Sequence, residues 1–246
     1  MAPTIRTAAS YSTHKEYTVE FFGEELIVTL TNDSSVISQW IDDVLYYNSR
    51  RFSSHPLVVG VGVQWTPPGY FSDSPPAYND YADSSPESDY YAESPPPPER
   101  CHNSRPPVDT LQLCVGNRCI IIQLSHCYCV PVVLHSFVGD RETTFVGVYN
   151  GQDARRLHES EHQLVIWNLL NLRKYVVDSQ GRHVRGRCSF EEIVEVCLGR
   201  RGVRLDRTVS MSDWSAFNLC DDQILQASVE AFVCCKLGVL NHLWEV

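Results

Sequence analysis

The sequence lacks any apolar run that approaches the roughly 20 residues needed to cross a bilayer. Its first six residues, MAPTIR, also lack the apolar core of a secretory signal. From these two absences we expect no membrane partner. The sequence therefore predicts a soluble, intracellular protein of the nucleus or the cytoplasm.

The sequence also lacks a cysteine framework, although it has ten cysteines. Most of them lie in apolar stretches, where a free cysteine behaves as a small hydrophobic residue. The one cluster with ligand chemistry, His126 to Cys129, has no second, separated pair of the kind that structural zinc sites use. We therefore expect reduced thiols and no zinc site, as is usual inside cells.

Basic residues are missing from residues 69–98, which hold seven of the fourteen prolines, five tyrosines and six acidic residues. Such a segment buries too little apolar surface to offset the entropy of ordering it, so residues 69–107 are expected to form a disordered insertion. Two interpretations stay open. The insertion is an expanded surface connection, or it binds a protein partner and is phosphorylated at Ser74, Ser85 or Ser94, each followed by proline.

The remaining chain has the composition of one compact domain, with 43% hydrophobic residues and five tryptophans among 246 residues. Residues 17–31 alternate as a hairpin does, Asn32 to Ser34 can cap a helix, and residues 221–243 form a long final helix. We expect a flexible N-terminus over 1–16 and a single domain over 17–246. Helices interleaved with strands predict an α/β fold with a mixed sheet of about five or six strands.

Four blocks of the sequence occur in a characteristic order. They are VVGVGVQW at 58–65, TLQLCVGNRCIIIQL at 110–124, FVGVYNGQD at 145–153, and SDW at 212–214 followed by DQILQASVEA at 222–231. Together they resemble the exonuclease domain of the Werner-syndrome helicase family, a DnaQ-like 3′-5′ exonuclease with an RNase H-like fold. In that family the first block typically reads VVGLDVEW.

The resemblance implies which residues stand at the family's catalytic positions. Asp and Glu of the first strand are replaced by Gly62 and Gln64, and Tyr and Asp of the closing helix are replaced by Gln226 and Glu230. Asp153 alone keeps the family's residue. The five positions together therefore resemble a vestigial active site.

The chemistry of that family depends on carboxylates. Two-metal phosphoryl transfer holds its ions about 3.5–4 Å apart, and Mg²⁺ prefers oxygen ligands of carboxylates. With only Asp153 and Glu230 left as ligands, we expect no stably bound Mg²⁺ or Mn²⁺ and weak or absent catalysis. The acids could instead have moved to other positions (Asp178, Asp213, Asp221, Asp222), and Asn171 stands where the family often has Asp. Asp153 could also be a helix cap.

Nucleic acid is the partner that the resemblance implies, as DNA or RNA, and as single strands or 3′ ends. Arginines suited to phosphates cluster in the second half of the chain, and the candidates for binding are Arg155, Arg156, Arg182, Arg185 and Arg187. A solvated face is the alternative, because acidic residues are interspersed among these and later arginines. Three functions stay open: nucleic-acid binding without cleavage, an active metal-dependent 3′-5′ exonuclease, and a protein scaffold that acts through the 69–107 insertion.

Overall fold

A computed structural model describes residues 2–48, 55–68, 70, 106–148, 151–178, 180–184 and 188–246. In these residues eight strands form one mixed sheet, in the order β1-β2-β3-β6-β5-β4-β7-β8. The strands are β1 Thr4–Ser10, β2 His14–Phe21, β3 Glu24–Thr31, β4 Val58–Gln64, β5 Thr110–Val115, β6 Arg118–Gln123, β7 Thr144–Gly147 and β8 Leu169–Asn171. Neighbours β3/β6, β4/β7 and β7/β8 run parallel, and the other pairs are antiparallel. The predicted mixed α/β sheet is confirmed.

Helices cover both faces of the sheet and divide the core into two clusters. The first three helices pack with the apolar residues of one face, and the last three pack with those of the other. The helices are α1 Ser34–Tyr47, α2 Val132–Val138, α3 Asp153–Glu159, α4 Phe190–Leu198, α5 Arg207–Ser210 and α6 Asp221–Leu240. Short 3-10 turns come after β6, β8 and α6, at Leu124–His126, Leu172–Lys174 and Leu243–Glu245.

Local sequence signals explain where several elements begin and end. The side chain of Asp33 accepts hydrogen bonds from the backbone N–H groups of Ser35 and Val36, which caps α1 as predicted. The β2–β3 hairpin turns at Phe22 and Gly23, which have φ values of 52° and 87°. Positive φ at both central residues is the geometry of the two-residue turns that suit the twist of a hairpin. The predicted hairpin over residues 17–31 is confirmed.

The N-terminus differs from its prediction. Residues 1–16 were expected to be flexible, but Thr4–Ser10 form strand β1, which pairs antiparallel with β2. Ile5 packs against the core, and the backbone hydrogen bonds to β2 also hold the strand in place. With this strand and the three-residue β8 at opposite edges, the sheet has eight strands where five or six were expected. The predicted insertion at 69–107 lies outside the described residues, except for Tyr70 and residues 106–107.

The long helix α6 crosses β4 at very close range. A Cβ atom added to Gly60 would lie 1.9 Å from the carbonyl oxygen of Ala231, so β4 and α6 approach each other backbone to backbone. This helix is long and apolar enough to cross a membrane by length and composition alone, yet 72% of its apolar window is buried within the structure. It lies in the core, where it faces Gly60 and Gln64 of β4.

Candidate active site

The sheet brings Gln64 to Glu230 at the end of β4. Successive side chains of a strand alternate between faces, so Gly60, Gly62 and Gln64 all face α6. Gln64 donates a hydrogen bond from Nε2 to Oε2 of Glu230 at 3.2 Å. An ionised carboxylate can only accept, so the amide nitrogen of Gln64 is the atom that faces Glu230 when Glu230 is ionised. Two of the residues named from the resemblance therefore contact each other through an N–H group.

Asp153 is buried near Glu230. The region around Gln64, Asp153 and Glu230 is called the cleft below. It is the first residue of α3, and the N-cap is Gln152, so the alternative role of Asp153 as a cap is wrong. Burial and, to a smaller extent, the nearby carboxylate of Glu230 raise the pKa of Asp153, and Arg156 lowers it. The resulting pKa is about 7. The two acids are thus close enough to interact electrostatically.

Glu230 titrates in the same range as Asp153. Burial raises the pKa of Glu230, the hydrogen bond from Gln64 lowers it, and the charge of Glu191 raises it. The resulting pKa is about 7. Desolvation is the main cause for both acids, because a buried carboxylate loses the water that stabilises its charge. Both acids therefore take up protons near neutral pH.

Gln226 is held away from these acids. Its Nε2 donates a hydrogen bond to Oγ of Ser210 in α5 at 2.7 Å. The side chain is buried, and its amide is tied to α5. In this arrangement the residue at the family's tyrosine position links α6 to α5.

Gly62 has a neighbour that the sequence did not reveal. Gln112 is its direct partner on β5, and a Cβ atom added to Gly62 would lie 2.7 Å from Oε1 of Gln112. Gln112 is fully buried, and its Nε2 donates to Oγ1 of Thr110 at 2.6 Å. The signal in the sequence was Thr110 and Gln112 at alternate positions of an otherwise apolar strand, which places two polar side chains on the α6 face.

The other candidate acids have separate structural partners. Asp178 forms an ion pair with Arg182 at 2.8 Å. Asp213 accepts a hydrogen bond from the backbone N–H of Ser215 at 2.9 Å, and its Oδ1 lies 3.2 Å from Oγ1 of Thr66. Asp221 and Asp222 are exposed in the first turn of α6, and Asn171 caps a 3-10 turn. Asp178, Asp213 and Asn171 thus have partners other than Asp153 and Glu230, and Asp221 and Asp222 face solvent.

A second buried acid, also missed by sequence reasoning, fixes the end of β4. Asp109 accepts hydrogen bonds from the backbone N–H of Thr66 at 2.6 Å and from its hydroxyl at 2.8 Å. The same hydroxyl accepts from the backbone N–H groups of Trp214 and Ser215, both at 3.0 Å. Burial raises the pKa of Asp109. This network ties the chain after β4 to the segment that leads into α6, and so holds the cleft together.

The predicted nucleic-acid-binding arginines fall into two groups. Arg155 forms an ion pair with Glu159 at 2.6 Å, and Arg156 lies 4.1 Å from the ring centre of Trp65 and donates to the carbonyl of Pro106. Both lie two or three residues after Asp153 in α3, and they line a cavity together with Gly151 and Gln152. Arg182 pairs with Asp178 in a turn, away from that cavity, while Arg185 and Arg187 lie outside the described residues.

No known family and no curated protein matches the sequence. Solved structures do match: the EXO domain of Aedes aegypti Nibbler has a TM-score of 0.56 at 12% identity, over 87% of each chain. The catalytic core of Trypanosoma brucei RRP6 (mutant C496S) has a TM-score of 0.56 at 10% identity, over 89% of this chain and 46% of that one. The chain therefore has the DnaQ-like 3′-5′ exonuclease fold of the RNase H-like class. The narrower resemblance to the Werner-syndrome family stays a prediction.

Proposed function

We propose that this protein binds nucleic acid, DNA or RNA, at single strands or 3′ ends without hydrolysing it. The observation that carries the proposal is the hydrogen bond from Gln64 to Glu230. This hydrogen bond directs an N–H group of Gln64 to the carboxylate of Glu230, which could otherwise hold a cation. A metal ion and an amide N–H group cannot occupy the same side of one carboxylate oxygen.

The residues of the cleft do not fit a pair of divalent ions. Gly62 has no side chain, Gln64 presents its nitrogen, and Gln226 is tied to Ser210. In the described parts of the chain, no three His, Cys, Asp or Glu side chains come together as a metal site. Asp153 and Glu230 remain as the ligands for Mg²⁺ or Mn²⁺ if either ion binds. Their pKa values of about 7 mean that an ion would also compete with protons for them.

The same pKa values suit phosphate binding in the absence of a metal. A phosphodiester is repelled by two ionised carboxylates, but a protonated carboxyl group is neutral and can donate a hydrogen bond to a phosphate oxygen. Arg155 adds a positive charge at the edge of the cavity, and its exposed pair with Glu159 costs little to break. We therefore propose that binding weakens as the pH rises through about 7.

A matched pair of variants tests the nucleic-acid surface. Arg155→Ala should weaken the binding of end-labelled single-stranded DNA and RNA and reduce the slope of log K against log salt concentration by about 0.7, the value for one phosphate contact to a single strand. Glu159→Ala frees Arg155 from its ion pair and should leave affinity unchanged or raise it. Fluorescence anisotropy over a salt series at pH 6.5 measures both.

One outcome of this experiment would overturn the proposal. If neither single strands nor 3′-recessed duplexes bind at low salt, the protein does not recognise nucleic acid. Loss of a protein partner on deletion of residues 70–105, together with that result, would favour the scaffold function. We propose that the protein acts in the nucleus or the cytoplasm, where DNA and RNA occur.

A further inference from the structure

Three free cysteines lie together where α6 crosses the sheet. Cys114 of β5 and Cys119 of β6 are direct partners across their hairpin. Cys235 belongs to α6, and all three side chains are buried in the same core cluster. Their arrangement is not one that could hold a metal ion. The chemistry open to this group is therefore that of thiols, and the proposed function uses none of it.

The close approach of α6 and β4 places Cys235 beside Cys114. Cys114 is the direct partner of Gly60 across the two antiparallel strands, so its side chain extends to the α6 face as Gly60 does. A Cβ atom at Gly60 would lie 2.6 Å from the backbone nitrogen of Cys235. Both cysteines are thus immediate neighbours of Gly60, which has no side chain to separate the two thiols.

The two thiols also interact electrostatically. A hydrogen bond from the thiol of Cys114 lowers the pKa of Cys235, although burial opposes this shift. Burial raises the pKa of Cys114 well above its ordinary value. Cys235 is therefore the sulfur of the pair that loses its proton first, and the thiolate is the form of cysteine that reacts as a nucleophile.

A cavity gives small molecules access to Cys235. Only 2% of the surface of Cys235 is exposed, but the residue lines a cavity of about 480 Å³. Gly116 and Asn117, at the turn between β5 and β6, line the same cavity and are exposed, so the cavity opens to solvent. A hydrogen peroxide molecule, which is only slightly larger than water, fits this space.

We propose that Cys235 and Cys114 form a disulfide when the folded protein meets a peroxide. The Cys235 thiolate attacks one oxygen of H₂O₂, the O–O bond breaks, and hydroxide leaves with the proton that Cys235 released, as water. The sulfenic acid formed on Cys235 is then attacked by the sulfur of Cys114. The S–S bond forms, the S–O bond breaks, and the thiol proton leaves with the oxygen as a second water. Two thiols are oxidised, and one peroxide is reduced to two water molecules.

The disulfide would fasten α6 to the centre of the sheet. It joins residues about 120 positions apart, so it restricts the unfolded chain far more than a link across the short hairpin from Cys114 to Cys119 would. Since α6 also carries Glu230, oxidation would hold the helix that forms one wall of the cleft. The inference does not depend on nucleic-acid binding and goes beyond the proposed function.

Mass spectrometry after oxidation tests the link. The natural protein, folded and free of reductant, is treated with a small molar excess of H₂O₂, and the remaining thiols are alkylated before digestion with trypsin. Cleavage after Arg118 separates the Cys114 peptide 101–118 from the Cys119 peptide, while Cys235 falls in peptide 208–236. We expect a link between these two peptides that dithiothreitol reverses, and a melting temperature raised by about 5–10 °C.

Matched variants assign the link to its two sulfur atoms. Cys114→Ala and Cys235→Ala should each abolish the link and the rise in melting temperature, whereas Cys234→Ala, at the neighbouring buried cysteine of α6, should keep both. A link from the Cys114 peptide to the Cys119 peptide in the natural protein overturns the proposal. Failure of the folded protein to form a link, or a link that forms only in urea, also overturns it. These failures leave the proposed nucleic-acid binding standing.

Discussion

Gly60→Ala lowers the free energy of unfolding by more than about 4 kcal/mol, the range reserved for severe core substitutions. The added methyl group would lie 1.9 Å from the carbonyl oxygen of Ala231 and 2.6 Å from the backbone nitrogen of Cys235. Both atoms belong to the backbone of a 20-residue helix that packs across the sheet. They cannot rotate away as a side chain can, so α6 would have to move off β4.

Urea denaturation followed by circular dichroism measures this effect, with two glycine controls. Gly238→Ala meets only methyl groups of Val58 and Val146, at 2.8 and 3.0 Å, and should cost less than Gly60→Ala. Gly151→Ala has nothing within 4 Å and should leave stability nearly unchanged. If the free energy of unfolding of Gly60→Ala lies within about 1 kcal/mol of the value for the natural protein, the close approach of β4 and α6 is wrong.

Glu230→Gln should stabilise the protein at pH 8 by on the order of 2–3 kcal/mol. Burial raises the pKa of Glu230 from 4.5 to about 7 in the folded state, while the unfolded chain keeps the ordinary value. Between about pH 4.5 and 7 the folded state thus binds more protons, and stability falls as the pH rises through this window. Glutamine has no charge to desolvate, and its carbonyl oxygen can still accept the hydrogen bond from Gln64.

The measurement is the free energy of unfolding from pH 4 to pH 8. The natural protein should lose stability toward pH 8, and Glu230→Gln should lose less of it. Asp153 has a pKa raised in the same direction and keeps part of the slope. Glu20→Gln, at an exposed position of β2, serves as the control and should leave the curve unchanged. Identical curves for Glu230→Gln and the natural protein would show that this acid is not desolvated.

Much of the fold could be predicted because its signals are local. The cap at Asp33, the β2–β3 hairpin and the long apolar helix each depend on residues close together in the chain. Strand β1 could not be predicted in this way, since TIRTAAS has neither clear alternation nor strong apolar content. Its strand conformation comes from pairing with β2.

The candidate site was predictable in its members and less so in its contacts. The resemblance selected Gln64, Asp153 and Glu230, and the structure brings these three together. The pairing of Gln112 with Gly62 depends on the register between β4 and β5, which no local pattern specifies. The stacking of Arg156 on Trp65 likewise joins distant parts of the chain, so a count of arginines could not reveal that this charge is engaged.

The most direct test of the central claim is a single-turnover digestion assay. Purified protein in excess is incubated with end-labelled single-stranded and 3′-recessed DNA and RNA, with Mg²⁺ or Mn²⁺, beside an Asp153→Ala variant. We predict that the substrates are bound and stay at full length with both proteins. A ladder of shortened products that appears with the natural protein and disappears with Asp153→Ala would contradict the account, because the cleft would then hold metal and hydrolyse its ligand.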